Sequence, residues 1–289
     1  MKRQTQRGFL LLLTVLLLSQ VACSDPKESA EDSNINTIAM AQEKAAKADS
    51  ASATTVTSMD IILGNASQSY HLISELSMDI AMNMQPRQAH ISFRMDMGEL
   101  PGGVADSEVY ILEEEGVLNS YTYSLGQWTK AEVTPEEIER YNLQAAAELY
   151  LGRTVAFVEE GEELLANGTP AKKYTGVISD EDIADVLDAT GVANSMSGLT
   201  GDNTINWSLL YENMSGMTIP ISIWISEDGY PIRYEIDLTQ IMHQLLVNML
   251  SHLGTDENTI AITTNSVTMT MDCTYNQGEE IILPQEAIF

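Results

Sequence analysis

From Tyr70 onward the chain alternates. Leu72, Leu76, Met78, Ile80, Met82 and Met84 share one parity up to the break at Pro86, and Ile91, Phe93, Met95 and Met97 repeat it beyond. Apolar side chains at every second position predict two antiparallel strands, each with one buried face. Further strands are predicted at 107–113, 117–124 and 127–132, with turns at Pro101-Gly102-Gly103, Glu115-Gly116 and Leu125-Gly126. Thr134-Pro135-Glu136-Glu137 then opens a helix. Thr is the N-cap, Pro takes the first helical position and Glu137 closes a capping box. Its apolar stripe is Ile138, Tyr141, Ala145 and Leu149.

Two or three strands follow at 153–158, 161–166 and 171–178, with Asn167-Gly168 as a hairpin turn. Ser179 with Asp182 caps a helix carrying Ile183, Val186 and Leu187. Residues 190–218 are rich in Gly, Ser and Asn, with a short helix predicted around Trp207–Tyr211. The clearest pattern is a hairpin. Ile219, Ile221, Ile223 and Ile225 alternate with polar or outward positions, Asp228-Gly229 turns, and Tyr230, Ile232, Tyr234, Ile236 and Leu238 alternate again. Thr239 is read as the cap of a helix with Ile241, Leu245, Leu246, Met249 and Leu253, stopped by Gly254. The last strand is predicted over 259–276, with Val267, Met269, Met271, Cys273 and Tyr275 on one parity. Strands outnumber helices and follow one another in hairpins. The fold class is therefore α+β, a large antiparallel sheet with helices packed on its apolar face.

The pattern before Tyr70 is different. Met1-Lys2-Arg3 and Arg7 precede an uncharged run from Gly8 to Ser24, dominated by leucines and closing on Gln20-Val21-Ala22-Cys23. A basic start, a short apolar run and small residues before the break read as an export signal over 1–22. The run falls short of the ~18 residues of a spanning helix, so an uncleaved anchor is the rival reading. The break resembles a lipobox, departing from it at Gln20 where Leu is usual. That resemblance implies cleavage before Cys23 and a diacylglyceryl (palmitate-type) modification of its thiol. Residues 24–56 are rich in Ser, Ala, Asp, Glu and Thr and lack aromatics. Residues 23–57 thus read as a flexible polar tether with a transient helix over Thr37–Ala48. Met59, Ile62, Leu63 and Ala66 lie at helical spacing and predict a short helix at the start of a domain spanning 58–289.

Composition narrows the function classes. The chain of 289 residues has 42 acidic against 14 basic side chains and a formal net charge of −28. Such acidity argues against nucleic acid as a partner, and against docking on an anionic bilayer by surface charge. Membrane attachment then falls to the lipid on Cys23. The chain has two cysteines. With Cys23 lipidated, Cys273 is a small buried apolar residue; the other reading is a Cys23–Cys273 disulfide. Glu113-Glu114-Glu115 and Asp180-Glu181-Asp182 lack the spacing of a calcium loop. No nucleophile elbow, zinc-protease helix, phosphate loop or dinucleotide fingerprint is present. His71, His90, His243 and His252 are scattered. The reading is non-enzymatic, without metal or cofactor.

The order of a lipobox Cys, a polar tether and Met-rich strands such as Met78-Asp79-Ile80-Ala81-Met82 and Ser92-Phe93-Arg94-Met95-Asp96-Met97 is familiar. So are Gly126-Gln127-Trp128, the Ile219-to-Ile225 strand, Gly229-Tyr230-Pro231 and the terminal Pro284-Gln285-Glu286-Ala287. Together they resemble an uncharacterised lipoprotein family of Gram-positive bacteria related to the LolA/LppX-like superfamily. The resemblance implies a curved half-barrel with helices on its concave face and a cavity for acyl chains. Met is unbranched and polarizable, and 15 of them give an interior that repacks around varied apolar ligands. The candidate lining is Met82, Met95, Ile223, Tyr234, Leu246, Met249, Met269 and Met271. The expected function is a lipid-anchored protein on the extracytoplasmic face of the membrane, binding a lipid or other hydrophobic ligand without transforming it. The alternative is an envelope scaffold or sensory module with a packed core.

Overall fold

The computed structural model describes residues 30–65, 68–96, 98, 104–124, 126–134, 151–189, 214–252 and 260–287. The signal segment, Cys23, the helix predicted after Thr134, the short helix around Trp207–Tyr211, and the turns at Pro101-Gly103 and Leu125 lie outside them, as does Gly254.

The alternating segments become strands: β1 (Ser50–Gly64), β2 (Ser69–Met84), β3 (Arg87–Asp96), β4 (Val104–Glu114), β5 (Val117–Ser124), β6 (Gln127–Glu132), β7 (Thr154–Leu164), β8 (Pro170–Ser179), β9 (Thr218–Ser226), β10 (Pro231–Asp237) and β11 (Ala261–Tyr275). Among the described residues three α-helices accompany them: α1 (Ala30–Ala46), α2 (Asp180–Ala189) and α3 (Thr239–His252). The strands form one antiparallel 11-stranded sheet in the order β6-β5-β4-β3-β2-β1-β11-β10-β9-β8-β7. It is not closed, since β6 and β7 are its two edges. The architecture is mostly β. Among the described residues no helix is long and apolar enough to cross a membrane.

Two expectations fail at the N-terminal end. Residues assigned to a tether form α1 and the first half of β1, and the short helix predicted around Met59 is the second half of β1. β1 is rich in β-branched residues (Thr54-Thr55-Val56-Thr57, Ile61-Ile62), which suit a pleated strand. It also pairs along its length with β2 on one side and β11 on the other. Backbone pairing on both sides, together with buried Ala53 and Ile61, holds it in the sheet. α1 is anchored through Ile38 and Ala41, which are almost fully buried.

Smaller differences have local causes. The segment 154–164 is one strand bent by two irregularities, with Ala156 and Gly161 at positive φ (52° and 115°). The predicted cap of α3 is displaced. Asp237 Oδ1 accepts the Thr239 amide at 2.9 Å, while the Thr239 hydroxyl accepts the Val267 amide at 3.0 Å. The helix entrance is thereby tied to β11.

The core lies on one face of the sheet. α3 packs on β11 and β9, α1 on β7 and β10, and α2 on β8 and β9. Beneath them Ile178, Ile219, Ile221, Ile223, Ile236, Ile241 and Leu245 are sealed from solvent. A smaller cluster of Ala89, Ile111 and Leu118 lies on β3–β5. After β11 the chain crosses the ends of β1 and β2. There the Gly278 amide donates to Ser50 Oγ (2.8 Å), and Asn83 Nδ2 donates to the Glu279 carbonyl (2.8 Å).

Candidate functional site: the apolar face of the sheet

Register turns the alternating pattern into rows of side chains. One row on the helix-bearing face runs Tyr174–Ile223–Tyr234–Met271–Thr55–Met78–Phe93 across seven strands. The next runs Ile221–Ile236–Met269–Thr57–Leu76–Met95. A third joins Tyr275–Ala51–Met82–Ala89–Ile111. The six strand-borne candidates from the sequence therefore lie on one face. Leu246 and Met249 approach it from α3, packed against the main core cluster.

The candidates divide by depth. Ile223 and Tyr234 are buried at 0% and 4% exposure, and Met271 at 8%. They form the floor under the helices. Met82, Met95, Leu246, Met249 and Met269 are half-buried. Leu76, Met78 and Phe93 extend the same rows, also half-buried, and belong with the candidates. The two-residue period already placed them on this parity; only the register showed which candidates they adjoin. Among the described residues the main helix contacts fall on β7–β11, whereas the apolar rows continue across β1 to β3.

Cys273 sits on this face between Met271 and Tyr275. Its thiol is free and buried. Burial pushes the thiol up to about 12, only partly offset by a hydrogen bond with Tyr275. Loss of solvent likewise raises the Tyr275 phenol. Both groups are neutral at physiological pH, so they add no charge to the apolar surface.

The opposite face mixes charged and polar rows with aromatic side chains such as Trp224, Tyr110 and Tyr121. A row there reads Arg233–Asp272–Thr54–Asp79–Ser92–Glu108. An open cleft of 540 Å³ is lined by Thr54, Asp79, His90, Asp228 and Asp272 among others. Another of 500 Å³ lies at Asp60, His71, Glu75 and Asp96. Neither these nor a 410 Å³ cleft beside α1 includes any of the candidate lining residues. His71 Nε2 lies 2.7 Å from Asp60 Oδ1, His90 stacks on Tyr110 at 4.2 Å, and His243 bonds to Thr264 at 3.3 Å. Among the described residues no three His, Cys, Asp or Glu groups converge to hold a metal ion.

No protein-family model and no curated protein matches the chain. Solved structures with some likeness include a DUF1329 family protein from Desulfovibrio piger. It is 6% identical with a TM-score of 0.22, covering 89% of this chain and 96% of that one. A domain described as an outer membrane lipoprotein-sorting protein from Vibrio parahaemolyticus is 9% identical with a TM-score of 0.21, covering 85% and 93%. A beta-barrel-like DUF1849 protein from Brucella abortus is 10% identical with a TM-score of 0.19, covering 77% and 96%. Backbone agreement this low carries no argument about the present chain, whose reading rests on its own geometry.

Proposed function

We propose that this protein is held to the extracytoplasmic face of a membrane by a lipid on Cys23 and binds a hydrophobic or amphiphilic ligand without altering it. The sheet acts as a half-barrel, and the helix-bearing face is its concave side. The carrying observation is the apolar row that runs past the helix-covered strands into half-buried Met78, Phe93, Leu76 and Met95. The part of this area that remains open to water gains ~25 cal/mol per Å² when a ligand covers it. Ile223, Tyr234 and Met271 supply the floor; Met82, Met95, Leu246, Met249 and Met269 supply the adaptable wall.

Native mass spectrometry of residues 24–289, purified from the host without detergent, tests the reading. A lipid-sized adduct is expected, reduced several-fold by Met95→Lys and Met82→Lys with the circular dichroism spectrum unchanged. A ligand-free mass for the unsubstituted protein overturns it. The sealed packing of Ile223, Tyr234 and Met271 favours a second reading, an envelope scaffold with a filled core, which that ligand-free mass would support.

A further inference from the structure

The position of α1 bears on how the domain sits beside a bilayer. The argument rests on the Cys23 anchor proposed above. Six residues lie between Cys23 and Ala30, where α1 begins, so seven Cα-to-Cα steps separate the two. At ~3.5 Å per extended residue they reach no more than ~25 Å. The first turns of α1 are fixed in place. Asn34 Nδ2 donates to the Phe157 carbonyl of β7 at 3.0 Å, and Ser33, Asn34 and Thr37 share a cleft with Glu159, Glu162 and Tyr174. The anchored end of the helix therefore lies beside β7, one of the two sheet edges.

We infer that the α1–β7 edge of the domain lies against the bilayer that holds the anchor, with the lipid surface itself as its partner. Two large apolar side chains flank this edge, Ile35 at 46% on α1 and Val158 at 56% on the other face of β7. The acids of β7 are partly countered, Glu159 by Lys172 at 3.3 Å and Glu163 by Lys173 at 3.8 Å. The surface suits a leaflet of zwitterionic headgroups, where the remaining carboxylates meet no net negative charge. The apolar face of the sheet then starts at the membrane rather than a tether's length away.

The test uses the full lipidated protein on phosphatidylcholine vesicles that carry a headgroup-bound energy acceptor. Donor dyes are placed in turn at Ile35→Cys, Val158→Cys and Ile73→Cys. Ile73 is exposed on the polar face of β2, which Val158 shares, but near the middle of the sheet order rather than at its edge. The buried Cys273 thiol stays unlabelled. Transfer several-fold stronger at 35 and 158 than at 73 is expected. Inserting about 20 Gly/Ser residues after residue 28 adds ~25 Å of coil, and should erase that difference while flotation with vesicles persists. Equal transfer at all three sites in the vesicle-bound, uninserted protein overturns the orientation alone. Failure of the protein to float removes the anchor and the orientation together.

Discussion

Glu114 shows how single side chains organise the polar face. Its carboxylate accepts the Tyr121 hydroxyl at 2.8 Å and Lys130 Nζ at 3.2 Å. Those two donors, Tyr121 first, hold its pKa below the ordinary carboxylate value. A depressed folded pKa means stabilisation that is present above the unfolded value of ~4.3 and lost as pH falls through the lowered folded value. Tyr121→Phe is expected to move the Glu114 carboxyl titration upward in carbon-detected NMR; an unmoved midpoint would discount the phenol. Cys273 gives a second residue-scale prediction. A buried thiol pushed up to about 12 presents almost no thiolate at pH 8. Iodoacetamide should leave it unmodified in the native protein and alkylate it fully in denaturant, as read by intact mass. Rapid native alkylation would contradict its burial. Gly278 passes so close to Ser50 and Asn83 that an added Cβ would collide with both. Gly278→Ala should destabilise by ~1–3 kcal/mol in chemical denaturation, the usual cost of overpacking.

At the scale of elements, α1 separates a packed helix from a tether. Ile38 is 3% exposed against the core, whereas Ile35 is largely in solvent. Ile38→Ala should cost ~2–5 kcal/mol and Ile35→Ala less than ~0.5 kcal/mol. Equal, negligible effects in urea titrations would return residues 30–46 to the tether. The contrast also marks what sequence can tell. The β9–β10 hairpin was legible because each strand carries its own apolar parity around Asp228-Gly229. β4, β5 and β6 were legible from the turns that separate them, at Glu115-Gly116 and Leu125-Gly126. β1 was not, because its small and hydroxylic side chains carry no clear apolar parity and one of its two partner strands, β11, lies at the far end of the chain. The helical spacing of Met59, Ile62 and Leu63 was a coincidence that strand pairing overrode. In the candidate site, parity placed Met82, Met95, Met269 and Met271 on the apolar face. Depth was not legible, because burial of Ile223 and Tyr234 depends on which strands the helices cover.

For the whole molecule, charge and connectivity dominate. A net charge of −28 on the full chain opposes compaction by self-repulsion. Raising salt from 0.01 to 0.15 M shortens the screening length from ~30 Å to ~8 Å. The melting temperature should rise accordingly, and a flat or falling response would show that local ion pairs such as Arg233–Asp272 outweigh the field. Connectivity works through β1 and β11, the first and last strands, which meet side by side in the middle of the sheet. A ribosome delivers β1 early and β11 only at the end. Until then the middle of the sheet lacks a neighbour, and the two wings have nothing to join them. Such long-range pairing is slow and comes late. The chain thus stays unlocked throughout its synthesis, which is the condition a polypeptide must satisfy to be threaded through a narrow pore before it folds.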